Sequence, residues 1–235
     1  MNSDISIVAL SLQTAIVATA VTLPLGMFFA WLLVRKEFRG KFALDVLVSL
    51  PLALPPVVIG YMLLWVVGNN AWLGQLSLSW FGSTIAFTWF AAALAAAVVS
   101  LPLVVRSFAA ALAGVDPKLE TAARGLGAGP ARTFLTVTLP LAYRGVIAGV
   151  LLGFVRALSE FGATIVVAGN IPGRTQTVPS AIFTRISTGD TEAAWRLVLV
   201  SVVIGIAALA VHNWLLRRST AGQPRSGSSV GRSNW

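Results

Sequence analysis

The chain contains no cysteine and only one histidine among its 235 residues. Disulfides, thiolate chemistry and sulfur-ligated zinc are therefore excluded, and one histidine cannot build a metal cluster by itself. The sequence also lacks the G-x-x-x-x-G-K-[ST] phosphate loop and the H-E-x-x-H and G-x-S-x-G patterns of metalloproteases and hydrolases. We therefore predict that this chain is not an enzyme and holds no metal or cofactor of its own.

Charged residues are also scarce, at 11% of the chain where a soluble domain has about 25%, whereas 57% of the residues are hydrophobic. Five apolar runs are long enough to cross a bilayer, which takes about 20 helical residues. They are residues 8–34, 44–67, 84–105, 142–168 and 194–216. No basic residue precedes the first run and Asp4 lies ahead of it, so it lacks the start of a cleavable signal peptide. The pattern predicts an all-α membrane protein with about five transmembrane helices.

Lysine and arginine gather between the first and second runs, between the third and fourth, and after the last one. Because cytoplasmic loops carry the excess of these residues, the N-terminus is predicted outside and the long loop between spans three and four inside. This asymmetry also explains the net charge of +9, so nucleic acid is not predicted as a partner. Residues 1–217 are predicted to form the membrane domain, and 218–235 a disordered cytoplasmic tail that can touch lipid head groups.

The loop between the third and fourth runs carries signals for two short helices. Asp116 followed by proline is a helix start, because the Asp side chain can accept a backbone amide and proline fits the first turn. This helix is predicted to reach about Arg124, where Glu120 and Arg124 can pair or contact charges of a partner. Pro130 opens a second helix that is predicted to end before Pro140. The turn between them contains Gly125, Gly127 and Gly129. Such a loop is either a polar connector with ordinary caps or a knob that seats in a cytoplasmic partner.

Residues 120–140 of this loop resemble the cytoplasmic signature of ABC importer permeases, which reads E-x-A-A-x-x-x-G, nine residues, then I-x-L-P. Thr121 and Val137 depart from it, because many permeases have Ala and Ile there. Residues 157–163 (ALSEFGA) and 170–177 (NIPGRTQT) are similar to permeases of the molybdate and sulfate branch, and to those for molybdate in particular. The resemblance implies that the loop docks an ATPase through Glu120, Ala122, Ala123, Arg124, Gly125, Gly127, Pro130, Leu139 and Pro140.

The same resemblance implies a permease subunit of an ATP-driven, binding-protein-dependent molybdate importer in the bacterial inner membrane. Two copies of the chain would form the path, with an ABC ATP-binding subunit holding ATP and Mg on one side. A periplasmic or extracytoplasmic oxyanion-binding protein would deliver the substrate on the other side. Sulfate, thiosulfate and tungstate stay open as substrates, because tetrahedral oxyanions pose similar demands. An ion-coupled secondary transporter is the alternative from another class, although it would not need a docking loop.

Charges and helix breakers inside the runs mark a candidate translocation path. Arg156 and Glu160 are four residues apart and are predicted on one face of the fourth helix, where they would compensate each other. They either line an oxyanion path, with Ser159 as a hydrogen-bond donor, or form a structural pair that fixes neighbouring helices. Prolines in the second run free backbone carbonyls, which are tolerated beside protein or a water-filled cavity. The candidate path residues are Pro55, Pro56, Arg156, Ser159, Glu160, Phe161 and Gly162.

Overall fold

The computed structural model of the protein describes residues 2–69 and 71–220, and this part of the chain is helical without a β-strand. Its α-helices are α1 (Asn2–Arg35), α2 (Lys41–Ala53), α3 (Pro56–Val67), α4 (Trp72–Phe81), α5 (Trp89–Ala113), α6 (Pro117–Gly125), α7 (Pro130–Thr133), α8 (Leu139–Leu158), α9 (Gly162–Val167), α10 (Val178–Ser187) and α11 (Thr191–Thr220). A π-helical turn, Phe134–Thr138, joins α7 to α8. The predicted all-α fold is confirmed. The predicted tail overlaps the end of α11, and its residues 221–235 lie outside the described residues.

Four segments of the described chain are long and apolar enough to cross a membrane, namely Asp4–Arg35, Trp89–Ala113, Pro130–Leu158 and Thr191–Leu215. The third of them runs without interruption from α7 through the π turn to the end of α8. A fifth crossing is formed when α2 and α3 are counted as one span, which is bent by 114° at the break between them. The prediction of about five membrane spans is confirmed.

The break in the second span follows from two adjacent prolines. Proline lacks a backbone N–H and drives the residue before it out of the helical conformation, so Leu54 is extended and the helix restarts at Pro56. α2 packs through Val48 beside Val105 in the C-terminal half of α5, whereas α3 packs beside the alanines at the N-terminal end of α5. The two halves therefore follow α5 from one end to the other.

α5 lies at the centre of the bundle, between α1 and α8, and is the most buried of the long spans. Its N-terminal half is rich in alanine, and small side chains let membrane helices approach closely. Glycines of α8 serve the same purpose. A Cβ atom on Gly153 would lie 2.4 Å from Val104, and one on Gly149 would lie 2.9 Å from Phe108. Close approach of backbones around α5 thus holds the core together.

An ion-pair cluster joins α1, α10 and α11 at one end of the bundle, which we call the far side; the other end carries the 116–140 loop and is called the loop side. The Asp4 carboxylate accepts a hydrogen bond from Arg185, and Arg196 lies 3.5 Å from its other oxygen. Arg185 also donates to the Ala193 carbonyl oxygen at 2.8 Å. The cluster ties the first and last spans together through α10.

The prediction that the second loop helix ends before Pro140 is wrong, because α7, the π turn and α8 are continuous. In a regular α-helix the ring of Pro140 would clash with the carbonyl four residues back. The turn before it is wider instead, since the Leu139 amide donates to the Phe134 carbonyl, five residues back. The π turn therefore carries the helix past a residue that would otherwise break it.

The prediction of one continuous helix over residues 142–168 is also wrong. α8 ends at Leu158 and α9 begins at Gly162, so Glu160 lies in a break and does not share a helix face with Arg156. The Glu160 carboxylate accepts the Ala163 amide at 3.0 Å, which satisfies one of the free amides at the start of α9. A buried carboxylate that binds the next helix start thus stabilises the interruption.

Candidate functional site

The 116–140 loop begins with a short helix and a glycine turn, as predicted, and its second helix continues through the π turn into α8. Asp116 accepts the Lys118 amide at 2.9 Å, and proline occupies the first position of α6. Gly127 has a φ of +88°, a left-handed conformation that glycine adopts without strain. The amides of Leu126, Gly127 and Ala128 donate back to carbonyls of α6, so the turn closes on the helix. The result is a compact knob on the loop side of the bundle.

Glu120 lies at the base of this knob and is only 7% exposed. Its carboxylate is 2.8 Å from the Arg35 guanidinium at the end of α1, and it accepts the Thr138 hydroxyl at 2.8 Å. Arg35 also donates to the carbonyl oxygens of Leu112 and Val115 at 3.0 and 3.3 Å. We call Arg35, Glu120 and Thr138 the Glu120 anchor. It ties the knob to the ends of α1 and α5 and to the π turn before α8.

The anchor differs from the pairing that spacing along α6 suggests. The Arg124 guanidinium is 3.9 Å from Glu120 and more than half exposed, whereas Arg35 is closer and nearly buried. Arg35 and Thr138 therefore contact Glu120 although neither was among the residues predicted for this site. In the sequence, Arg35 is not distinguished from the other cations of the loop side. The one available signal is the position of Thr138 within the V-T-L-P motif.

Leu126 lies at the tip of the knob and is 90% exposed, the highest value for a large hydrophobic side chain in the described chain. The flanking glycines leave open space around it, since no atom lies within 4 Å of a Cβ built on any of them. The Leu126 side chain is therefore accessible to a partner. The sequence analysis missed Leu126, which falls between the fixed positions of the signature. The predicted docking residues of the knob that are exposed like Leu126 are Ala122, Arg124, Gly125, Gly127 and Pro130, and Ala123 is half-buried. The last two predicted docking residues lie at the start of α8, where Leu139 is half-buried and Pro140 is exposed.

A second candidate region lies where the break between α2 and α3 meets the break between α8 and α9; we call it the junction. A Cβ atom on Gly162 would lie 3.0 Å from the Pro56 Cβ. One on Gly60, further along α3, would lie 2.5 Å from the Ala163 carbonyl oxygen. The structure therefore brings together the predicted path residues Pro56 and Gly162, with the backbones of α3 and α9 almost in contact.

The charged pair beside the junction is neutralised within the chain. Arg156 Nη1 is 2.7 Å from a Glu160 oxygen, and the Glu160 side chain is buried. The Ser159 hydroxyl donates to the Arg156 carbonyl oxygen at 3.1 Å, so its proton is directed at its own helix. A matched pair offers little net field to an anion. The geometry favours the structural interpretation of Arg156 and Glu160 over direct attraction of an oxyanion.

A cavity of about 490 Å³ lies between α1, α8, α10 and α11. Ser159 and Phe161 line it, and the Phe161 ring packs 5.3 Å from the Phe183 ring of α10. Most other lining side chains are apolar. Of the described residues around this cavity, none is a further member of the predicted path, so the seven predicted path residues do not share one cavity. Ser159 and Phe161 line the cavity, and Arg156 and Glu160 form the ion pair. The other three, Pro55, Pro56 and Gly162, lie at the junction.

Metal ligands are not grouped in either region. Within residues 2–69 and 71–220, no three His, Cys, Asp or Glu side chains are placed to hold an ion together. His212 donates through Nδ1 to the Ala148 carbonyl oxygen at 2.9 Å, which joins α11 to α8. That the chain holds no metal or cofactor stays a prediction.

The close packing at the junction predicts the effect of a single methyl group. Gly60→Ala is expected to destabilise the protein by about 1–3 kcal/mol, because the new Cβ would overlap the Ala163 backbone, which cannot give way. Gly205→Ala in α11 is the matched control, since nothing lies within 4 Å of its new Cβ. Thermal unfolding of the purified protein in detergent measures both. Equal shifts in the two variants would contradict the packing.

Two comparisons at the sequence level cover both candidate regions. The family described as "Binding-protein-dependent transport system inner membrane component" matches residues 22–220. The "Molybdenum transport system permease protein ModB" of Escherichia coli (strain K12) is 52% identical over 213 residues, which are 90% of this chain and 93% of that protein. The "Probable sulfate transport system permease protein cysT" of Nephroselmis olivacea is 37% identical over 207 residues, which are 88% of this chain and 72% of that protein.

The fold is also found among solved structures. A bacterial alginate ABC transporter, crystallised in complex with an alginate pentasaccharide-bound periplasmic protein, matches 92% of this chain and 78% of its own chain with a TM-score of 0.60. The two sequences are 14% identical, so this likeness concerns the fold alone.

Proposed function

This chain belongs to the family of binding-protein-dependent transport system inner membrane components, and we propose that it is the permease subunit of an ATP-driven molybdate importer. The observation that supports molybdate as the substrate is the 52% identity to the Escherichia coli molybdenum permease over 90% of the chain. The apolar spans make the chain a multi-pass membrane protein. Its family supports a place in the bacterial inner membrane.

The energy source in this proposal is a separate ABC ATP-binding subunit, which binds ATP and Mg and hydrolyses the nucleotide. It docks on the knob of the 116–140 loop, with Leu126 as the apolar contact and Ala122, Arg124 and Pro130 around it. The support for this surface is its geometry, because a rigid turn presents an almost fully exposed leucine on an anchored base. Two copies of the chain form the path, so that each copy contacts one ATP-binding subunit.

Movement of the knob reaches the membrane through the Glu120 anchor. The anchor connects the knob to the ends of α1 and α5 and to the π turn before α8. α8 then acts as a lever of about 30 Å, at 1.5 Å per residue, that ends next to the junction. Breaks in helices allow rearrangement without loss of regular hydrogen bonds, so the junction is the place where the path opens and closes. Alternating access follows from the two positions of this lever.

Selectivity in this scheme belongs largely to the oxyanion-binding protein that delivers the substrate. The path needs no tight site, and the pairing of Arg156 with Glu160 leaves no strong fixed charge to hold an anion beside the junction. Weak binding in the path favours release of the oxyanion after each cycle. The remaining path residues, Ser159 and Phe161 at the cavity, would shape the passage rather than bind the anion.

Sulfate is the second candidate substrate, and the relative that favours it is the sulfate permease protein with 37% identity. Sulfate and molybdate are both tetrahedral dianions and differ mainly in size, and thiosulfate and tungstate are dianions of the same general shape. The higher identity to the molybdenum permease places molybdate first. Direct competition between the two anions in a transport assay separates them.

The test is ATP-dependent uptake of radiolabelled molybdate into vesicles that contain this chain, an ATP-binding subunit and an oxyanion-binding protein. We expect uptake that requires all three proteins and ATP and that persists in excess sulfate. ATP-dependent uptake of sulfate alone would retain the mechanism and replace the substrate. Uptake driven by an ion gradient without the ATP-binding subunit would reject the ATP-driven importer. Vesicles without the binding protein are the control.

A further inference from the structure

A second cavity, of about 520 Å³, lies on the loop side where α1 ends, α2 begins and α5 passes behind them. Leu33 and Val34 of α1 and Val105 of α5 form its apolar wall. Its charged lining consists of Lys41, Asp45 and Arg106. It is separate from the Glu120 anchor, the junction and the first cavity, so the transport scheme leaves it without a role.

Helix α2 presents two parallel stripes that begin at this cavity, which Lys41, Phe42 and Asp45 line. Residues four apart lie one above the other on a helix, so Lys41, Asp45 and Ser49 form a polar stripe. Beside it, Phe42, Val46 and Leu50 form an apolar stripe whose members are all exposed, with Phe42 at 82%. A polar stripe next to an exposed apolar one fits an amphiphilic ligand that lies along the helix.

Arg106 is the deepest charge of this cavity. It lies about two turns, or about 10 Å, before the end of α5, and its side chain is 53% exposed. The guanidinium is 3.0 Å from Asp45 and donates to the Ser49 hydroxyl oxygen at 2.8 Å. These contacts hold the guanidinium against the polar stripe while half of its surface stays open.

The charge around the cavity is positive. Lys36 and Arg39 in the connection between α1 and α2 join Lys41 and Arg106, against the two carboxylates of Glu37 and Asp45. Glu37 lies 2.6 Å from Lys41, but its side chain is 86% exposed, and such pairs are screened by solvent and contribute little. The four cations outnumber the two carboxylates, so an anion that approached from the loop side would meet a net positive charge at the level of the lipid head groups.

We propose that this cavity binds the phosphate group of an anionic phospholipid between Lys41 and Arg106, with one acyl chain along Phe42, Val46 and Leu50. Charge-assisted hydrogen bonds from a lysine and an arginine suit a phosphodiester, and the apolar stripe distinguishes a lipid from free phosphate. Asp45 opposes the bound anion and limits its affinity. The site is independent of the transported substrate, because none of its residues belongs to the knob or the junction.

The test measures lipid binding to the purified full-length protein by native mass spectrometry in a neutral detergent. Phosphatidylglycerol is expected to bind about tenfold more tightly than phosphatidylcholine with the same acyl chains. Arg106→Gln and Lys41→Gln should each weaken phosphatidylglycerol binding about tenfold, whereas Asp45→Asn should strengthen it. Arg174→Gln, an exposed cation on the far side, is the matched control and should leave binding unchanged.

Opposite effects of Arg106→Gln and Asp45→Asn on phosphatidylglycerol binding distinguish a lipid site from a structural ion pair. Arg106→Gln and Asp45→Asn both remove the same salt bridge, so equal weakening by both would overturn the proposal. Equal affinity for the two lipids would do the same. Displacement of phosphatidylglycerol by glycerol phosphate at equal concentration would show a soluble-phosphate site in place of a lipid site. Lys41→Gln keeps the test usable if Arg106→Gln fails to fold, since the carboxylate that pairs with Lys41 is exposed to solvent.

Discussion

Leu126→Asp is expected to lower the affinity of the permease for its ATP-binding subunit by at least about 100-fold and to abolish ATP-driven uptake. The leucine is the exposed tip of the knob, so its replacement removes the apolar contact and buries an unpaired carboxylate in the interface. Leu126→Ala only truncates the contact and should lower the affinity by about 10- to 30-fold. Binding of the purified ATP-binding subunit to the permease in nanodiscs measures both variants.

The control for this prediction is Leu78→Asp in α4, an exposed leucine on the far side and away from the knob. It should leave the affinity unchanged. Thermal unfolding should show the same midpoint for Leu126→Asp and the unmodified protein, because the Leu126 side chain packs against almost nothing. Unchanged affinity of Leu126→Asp with an intact fold would place the docking surface elsewhere on the chain.

Glu120→Gln is expected to keep the affinity for the ATP-binding subunit within a few-fold of the unmodified protein, because Leu126 is unchanged. ATP-driven uptake is expected to fall by about 100-fold or more. Glutamine can still accept the Thr138 hydroxyl, but the Arg35 guanidinium loses its counter-charge in a nearly buried position. Breaking a buried pair by removing one partner costs about 3–5 kcal/mol. The knob would then be held loosely on its base, so its movement would not reach α1, α5 and α8. Affinity for the ATP-binding subunit, uptake and the unfolding midpoint are measured together.

Two other partners of Glu120 provide graded controls. Thr138→Val removes one hydrogen bond and should cost about 1 kcal/mol. Arg124→Gln removes an exposed cation 3.9 Å away and should cost less than about 1 kcal/mol. The loss of stability should therefore be largest for Glu120→Gln and smallest for Arg124→Gln. If Arg124→Gln equalled Glu120→Gln, the important pair would lie on the surface of α6 and not in the anchor.

The five spans and the knob could be predicted from the sequence because each depends on neighbours in the chain. Apolar length predicts a span, and Asp116 with the glycines after Arg124 predicts a helix, a turn and a second helix. The end of that second helix could not be predicted from the same local signals. They treat Pro140 as a stop, whereas the π turn removes the clash that makes proline a stop.

The Glu120 anchor and the junction could not be predicted, because their partners are distant in sequence. Arg35 meets Glu120 only after α1 and α5 have packed together, and no local pattern distinguishes it from other loop-side cations. The fourth span looks continuous because residues 142–168 are mostly apolar and contain no proline. Its break depends on the bond between the Glu160 carboxylate and the Ala163 amide and on the close contact of Gly162 with Pro56. Spacing correctly paired Arg156 with Glu160 but assigned the wrong geometry.

The order of synthesis has a further consequence for the contacts that α1 makes with later helices. α1 leaves the ribosome before α5 and α10, yet its Arg35 bonds to a carbonyl 77 residues later and its Asp4 to an arginine 181 residues later. Contacts over such separations form late, because the chain entropy between them must first be lost. A nascent chain that stops before Arg185 therefore holds α1 in the bilayer without its contacts to α10 and α11. α1 completes its contacts only after α10 and the start of α11 have been synthesised.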